Sequence, residues 1–334
     1  MSQKRILITG GGGFIGFHLA SRLAADSASE ITLLENFARG RQDADLQAFC
    51  ERPNVRLVTA DLTSPDAFDT LERDYDEVYH MAAVLGVENV LHRPVDVLRV
   101  NAIATISLLE WFVSVGGKKL MFPSTSEVYA WTQQFHTLPV PTPEDVPLAL
   151  TDIANPRSTY AGSKIFGELA VTHYCNAFQK PFVIARYHNI YGPRMGEEHV
   201  IPQLFKRASV ERQNPLVVYS AGFYRAFCYV SDAVTATIAS VRTPGAEGKT
   251  FNIGNDKEQT TIGDLAHRIL THAGIDAAIE PRTAVNDPIQ RRCPNIDHAR
   301  KVLGYEPVVT LDEGLDRTMQ WYSNWFATRG TAGQ

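Results

Sequence analysis

Cysteine is scarce in this 334-residue chain, and Cys50, Cys175, Cys228 and Cys293 lie far apart. They form no CxxC pair and no metal-ligand spacing, so neither a disulfide scaffold nor a metal centre is expected. Scattered thiols of this kind suit a reducing interior, and the expected location is the cytoplasm. Long apolar runs are missing too. None approaches the roughly 18 residues of a membrane span. The short apolar stretch after the basic start is cut by glycines 10–13, too soon for the core of a secretory signal. An excess of positive charge is also lacking: 32 Lys+Arg stand against 37 Asp+Glu, a formal net charge of −5. No long-range field therefore draws in nucleic acid or an anionic membrane, and any anion must be held by local groups. There is no internal repeat and no low-complexity segment.

What remains is ordinary globular material, 44% apolar and 21% charged, enough for one large domain or two that share an interface. β-Rich runs at Lys4–Thr9, 30–35, Val55–Thr59, 77–82, 120–123 and 181–187 alternate with helical patterns. Among the helical patterns, 14–25 carries Phe14, Phe17, Leu19 and Leu23, and 94–114 and 160–178 are the longest in this half. Such alternation predicts right-handed crossovers and a parallel sheet with helices on both faces. The stretch 139–156, with Pro139, Pro141, Pro143 and Pro147, predicts a loop in which Glu144 and Asp145 are solvated. Beyond Gly192 the pieces shorten: helices over 201–209, 231–241, 262–273 and 311–326, strands over 216–219 and 250–253. The expected fold is α/β, a Rossmann-type doubly wound parallel sheet with a smaller C-terminal α/β substrate lobe. Residues 1–190, with a return over about 225–256, form the dinucleotide-binding domain, and 191–330 mainly the lobe.

Gly10, Gly13 and Gly16 fall between the first strand and the first helix. Glycines there permit a tight turn and let backbone N–H groups approach a pyrophosphate, which then faces the positive end of the helix through Phe14 and Ile15. Glu35 ends the second strand, where a carboxylate can accept hydrogen bonds from the adenosine ribose and so favour NAD over NADP. Arg39 and Arg41 follow closely and are suited to a 2′-phosphate. Asp61 and Leu62, ending the third strand, are placed to meet the adenine edge.

Tyr160 and Lys164 have the i,i+4 spacing that puts both on one helical face. A phenol titrates near pH 10 and is a poor base at neutrality, but a neighbouring ammonium lowers its pKa and makes it usable as an acid or base. The pair follows a strand that ends in Ser124-Thr125-Ser126-Glu127, and ligands of such sheets collect at the carboxyl ends of the strands.

GGGGFIG, HMAA at 80–83, STSEVYA at 124–130, YAGSK at 160–164 and NIYGPRM at 189–195 together resemble the extended short-chain dehydrogenase/reductases. These are the nucleotide-sugar epimerases, dehydratases and decarboxylases. RAFCYVSD at 225–232, FNIGN at 251–255, RRCPNI at 291–296 and LGYEP at 303–307 extend the resemblance to nearly the whole chain. The resemblance implies a tightly bound, recycled NAD and a nucleotide-sugar substrate. Thr125 would hydrogen-bond the sugar C4 hydroxyl, and Tyr160 would take its proton while the C4 hydride leaves to NAD. Lys164 would also hold the nicotinamide ribose. Asn189 and Arg225 would contact the substrate diphosphate, and Arg292, or Arg291 beside it, would make a further contact. Guanidinium partners for a diphosphate suit a chain that is acidic overall. A catalytic part for His80 is not expected, and His188 is read as a packed histidine. The resemblance also implies a homodimer built on the two long helices.

A 4-keto sugar formed this way can regain its hydride on the other face, lose a C5 carboxylate, or lose a C6 hydroxyl. Glu127 discriminates. Simple 4-epimerases of the family usually lack an acid two positions after the catalytic Ser/Thr, whereas dehydratases and UDP-glucuronate decarboxylases have one. NDPIQRRCPNI is similar to the decarboxylases' tail, while YAGSKIFGE is closer to the epimerases and HMAAVLGVENV departs from the decarboxylase segment. The sequence favours decarboxylation over 4-epimerisation, with 4,6-dehydration third. Two other classes stay open: an NAD-binding regulatory protein on the same fold, which intact Thr125, Tyr160 and Lys164 argue against, and a simple dehydrogenase releasing NADH.

Overall fold

A computed structural model describes residues 3–115, 117–132, 137–283 and 289–331. The strands, in chain order, are β1 (Lys4–Thr9), β2 (Ser29–Glu35), β3 (Val55–Thr59), β4 (Glu77–His80), β5 (Leu120–Thr125), β6 (Phe182–Tyr187), β7 (Ile190–Tyr191), β8 (Leu216–Tyr219), β9 (Tyr224–Ala226), β10 (Cys228–Tyr229), β11 (Thr250–Ile253), β12 (Gln259–Thr261), β13 (Ile279–Arg282) and β14 (Arg291–Arg292). The helices are α1 (Phe14–Leu23), α2 (Ala44–Cys50), α3 (Val87–His92), α4 (Pro94–Val115), α5 (Ser158–Ala177), α6 (Val200–Ser209), α7 (Val230–Arg242), α8 (Ile262–Ala273), α9 (Asp297–Leu303) and α10 (Leu311–Thr331).

Seven strands form one sheet in the order β11-β6-β5-β4-β1-β2-β3, every pair parallel. Strand side chains alternate between faces. Ile6 and Ile8 of β1 accordingly enter one core with Leu19 of α1 and Ala233 of α7, and Leu7 enters the other with Leu108 of α4 and Val171 of α5. Burial on both faces explains why these strands read as continuous apolar runs. The chain winds outward from β1 through β2 and β3, then restarts at β4 on the other side of β1. That reversal opens a crevice beyond the carboxyl ends of β1 and β4.

The C-terminal segments add small sheets, β12-β9-β14, β13-β8 and β10-β7. The short helices α2, α3 and α9 carry too few turns to show a helical period and were not expected from the pattern. α4 is the one helix among the described residues long and apolar enough to cross a membrane, although Asp96, Arg99 and Glu110 interrupt its apolar run. Here it buries Val97, Ala104, Leu108 and Phe112 in the core.

The proline-rich loop departs from expectation. Thr142 pairs with the 293–295 segment through N–H···O bonds of 2.9 Å in both directions. Glu144 is half-buried rather than solvated, and accepts a 2.8 Å bond from the Asn252 N–H of β11. Asp145 is exposed. Of NDPIQRRCPNI, residues 286–288 lie outside the described residues.

Candidate active site

The turn from β1 into α1 depends on its glycines. Gly10 has φ +68°, and a Cβ there would sit 2.6 Å from the Ala82 backbone nitrogen. A Cβ on Gly16 would lie 2.2 Å from the Gly10 carbonyl oxygen. The glycines therefore let the turn fold onto the start of α1 and onto the chain leaving β4. Gly13 is the N-cap of α1 and makes no side-chain cap, and the first turn carries no acid. Open N–H groups with a positive dipole end are what a pyrophosphate needs, so the cradle fits a dinucleotide. Gly16→Ala should strain the closed turn by about 1–3 kcal/mol. Titration calorimetry should then show NAD binding weakened tenfold or more.

Glu35 is where a ribose acceptor belongs, but its carboxylate is already engaged. It accepts from the N–H groups of Gly12 (3.0 Å), Asn36 (3.1 Å) and Phe37 (3.0 Å). Burial raises its pKa, and these bonds partly offset the rise. Asp61 accepts from the Thr63 N–H and hydroxyl and from Asn36; burial pushes its pKa up, but those bonds and Arg99 carry it net downward. The Leu62 side chain is in the core, contrary to an adenine contact by that side chain; only its backbone is available to one. Phe14 and Ile15 are half-buried at the helix start.

Thr125 ends β5 and caps a short 3₁₀ turn, Ser126–Tyr129, accepting from the Glu127 N–H at 3.3 Å. Tyr160, in the first turn of α5, has a side-chain hydrogen bond with Thr125. Its phenol is pushed up to about 12, by burial first and by the Glu127 charge second, against the Thr125 bond and Arg39. Lys164, one turn further along α5, has its own acceptor. Its ammonium donates to the Pro123 carbonyl at 2.8 Å and lies 5.0 Å from the centroid of the Phe122 ring. A buried ammonium must be hydrogen-bonded, and the backbone of β5 supplies the acceptor. Burial brings Lys164 down to about 8, against the pull of Glu168.

Register brings Arg225 and Arg292 together. β9 and β14 pair in parallel with Arg225 opposite Arg292. Adjacent strand residues point to opposite faces, so Arg291 cannot exchange with Arg292; Arg291 is exposed and bonds Gln259. Arg292 forms an ion pair with Glu127. Burial acts to raise the Glu127 pKa, but Arg292, Arg157 and Arg225 together take it below the ordinary value, so it is a carboxylate at neutral pH. Arg157, at the head of α5, was not singled out from the sequence, since nothing local marks it. Asn189, with φ +42°, donates to the Ala226 carbonyl at 3.0 Å and so ties the end of β6 to β9. A cleft beside Arg292 is lined by Ser126, Tyr129, Thr142, His188 and Cys293.

His80 and His188 are both buried, His188 as expected. Thr105 spends its hydroxyl proton on the Asn101 carbonyl, so His80 Nε2 donates to Thr105 and Nδ1 accepts from Thr9. Burial lowers His80 to about 3 and His188 to about 4, so both are neutral.

A doubly wound sheet with an open glycine turn at its crevice, and Thr125 and Tyr160 at the neighbouring strand end, defines a dinucleotide-dependent enzyme of the Rossmann class. The chain belongs to the NAD dependent epimerase/dehydratase family, whose model matches residues 6–254. It is 32% identical over 323 residues to UDP-glucuronic acid decarboxylase 1 of Xenopus tropicalis, covering 96% of this chain and 72% of that one. It is also 32% identical to UDP-N-acetyl-alpha-D-glucosaminuronate decarboxylase of Bacillus cytotoxicus, covering 96% and 98%. Among solved structures, UDP-glucuronic acid 4-epimerase from Bacillus cereus, in complex with UDP-glucuronic acid and NAD, superposes with a TM-score of 0.84. It shares 27% identity and covers 96% of this chain and 99% of that one.

Proposed function

We propose that this protein is an NAD-dependent decarboxylase of a UDP-linked uronic acid, UDP-glucuronate by first choice, working through a 4-keto sugar. The observation that carries this reading is the carboxylate of Glu127, two residues beyond Thr125, ion-paired with Arg292 at the mouth of the site. Bound NAD supplies the hydride acceptor and, as a cation, favours the phenolate of Tyr160. Thr125 orients the C4 hydroxyl and Tyr160 accepts its proton. Once C4 is a ketone it lies β to the C5 carboxylate, and the electrons of the C5–carboxyl bond can pass into the carbonyl as CO2 leaves. Glu127 positions Arg292 for the anionic substrate, Arg225 and Asn189 face the diphosphate, and Lys164 turns from Pro123 to the nicotinamide ribose. Gly10, Gly13, Phe14, Ile15 and Gly16 hold the pyrophosphate, with Glu35, Asp61 and the Leu62 backbone at the adenosine.

The test is mass spectrometry of UDP-glucuronate incubated with the holoenzyme. A product lighter by CO2 is expected. An isobaric product of shifted retention would make the protein a 4-epimerase, the reading that likeness to the B. cereus epimerase favours. Net NADH in proportion to substrate would make it a dehydrogenase, and no conversion of any nucleotide sugar would favour the regulatory alternative. Glu127→Gln removes a charged hydrogen bond to Arg292 and should lower kcat/KM by about tenfold or more.

Residues 1–190, with the return at 225–256, serve as the cofactor domain in this reading, and 191–330 mainly as the substrate lobe. A homodimer through α4 and α5 is supported by exposed Val95 and Leu98 on α4 and Phe166 and Leu169 on α5. A cytoplasmic setting is supported by four free cysteines, three of them buried.

A further inference from the structure

Between β2 and α2, residues 39–43 run alongside residues 194–198, which follow β7. Three ion pairs join the two segments, at alternating positions 39, 41 and 43 of the first. Arg39 Nη2 meets Glu198 Oε1 at 2.8 Å, Arg41 approaches Glu197 at 3.9 Å, and Arg194 pairs with Asp43. The pairs are graded in exposure: side chains 30% and 31% exposed in the first, 19% and 23% in the second, 2% and 10% in the third.

The inner end is fastened to the glycine turn itself. Arg194 Nη2 donates to the Gly12 carbonyl at 3.2 Å, and the Arg41 backbone N–H donates to the same oxygen at 3.3 Å. Arg194 also lies 4.1 Å from the centroid of the Phe17 ring on α1. Arg41 is further held by the Met195 carbonyl at 3.2 Å and by the face of Trp325 on α10, 4.5 Å from its centroid.

The outer end stands over the crevice. Gly86, on the chain leaving β4, has φ +104°, and a Cβ there would meet Glu198 Oε1 at 3.1 Å and Arg39 Nη2 at 3.6 Å. A Cβ on Gly196 would lie 2.5 Å from both Glu198 oxygens. Both glycines therefore make room for the Arg39–Glu198 pair. The Arg39 charge reaches the Tyr160 phenol.

We propose that Arg39–Glu198 and Arg41–Glu197 form a clasp across the dinucleotide groove, anchored by Arg194–Asp43, which slows escape of the bound cofactor. The proposal rests on the reading of this groove as the NAD site, and not on the sugar chemistry. It gives a physical basis for retention: a cofactor reoxidised within each turnover gains from a site that must break ion pairs to open. Partly exposed pairs are weak and screened by salt, so the clasp opens without unfolding its surroundings.

The experiment uses purified holoenzyme and measures release of radiolabelled NAD during a chase with unlabelled NAD. Arg39→Ala and Glu198→Gln should each speed release by about two- to fivefold. Raising salt should speed release from the wild type and have less effect on either variant. Arg268→Ala, which removes an exposed pair with Asp312 elsewhere on the surface, should leave release unchanged. If Glu198→Gln leaves release unchanged or slows it, Arg39 acts on the cofactor directly with Glu198 as its competitor, and the clasp is overturned. Acceleration by Arg268→Ala equal to that of the clasp variants would overturn it as well. Failure to decarboxylate UDP-glucuronate would sink the proposed reaction while leaving the release measurement valid; failure to bind NAD at all would sink the reading of the groove.

Discussion

Tyr160→Phe should keep the dinucleotide and lose turnover by about 10²–10⁴-fold, the usual share of one positioned acid–base group. The ring still fills its place in α5 beside Thr125, so binding of NAD, followed by calorimetry, should stay within about twofold of wild type, well below the tenfold that 1.4 kcal/mol would give. Only the oxygen that takes the C4 proton in the proposed reaction is gone. The size of the loss follows from the phenol's setting. Burial and the Glu127 carboxylate hold it up to about 12, so the protein without cofactor keeps Tyr160 protonated at neutral pH. The positive charge of bound NAD must make it a base, which confines proton transfer to the assembled complex. Turnover of Tyr160→Phe equal to wild type, measured by CO2 release, would end the assignment.

Breaking the buried pair between Glu168 and Arg186 should destabilise the protein by about 3–5 kcal/mol, through either Glu168→Gln or Arg186→Met. Glu168 on α5 receives the Arg186 Nε at 2.9 Å and Nη2 at 2.7 Å, and also the Ser124 hydroxyl. The remaining Arg186 nitrogen, Nη1, donates to Tyr129 at 2.8 Å and to the Glu144 carbonyl at 2.9 Å. The Tyr129 hydroxyl donates to Asn252 Oδ1, which also accepts from His188. Removing one member strands a buried charge instead of deleting an interaction, hence the size of the effect. Urea unfolding should show a lower midpoint at nearly unchanged slope. The network spans β5, β6, β11, α5 and the proline-rich loop immediately behind Thr125 and Glu127. A loss below about 1 kcal/mol would show that water replaces the missing partner.

Much of the site was legible because its signals are local. The turn through Gly10, Gly13 and Gly16 lies within seven residues, and its steric demand is written in glycine. The i,i+4 spacing of Tyr160 and Lys164 put both in one helix. What the spacing could not show is the acceptor of Lys164, the Pro123 carbonyl on a strand some forty residues earlier. Glu144 was misjudged for the same kind of reason: its donor, the Asn252 N–H, is supplied by a strand that joins the sheet 108 residues later. Leu62 follows the end of β3, where ligands collect, but its side chain is taken up by the hydrophobic core, which leaves its backbone to a ligand.

By itself the sequence determined the succession of the seven main-sheet strands and the longer helices, the parallel sheet, the glycine cradle and the family, since each is encoded in short periodicities and fixed spacings. Tertiary structure alone decided which charges meet. Glu127 finds Arg292, Arg225 finds Arg292 through strand register, Glu168 finds Arg186, and Arg39 finds Glu198. Ion pairs depend on the distance between groups in space, and segments far apart along the chain reach that distance only after the sheet has formed.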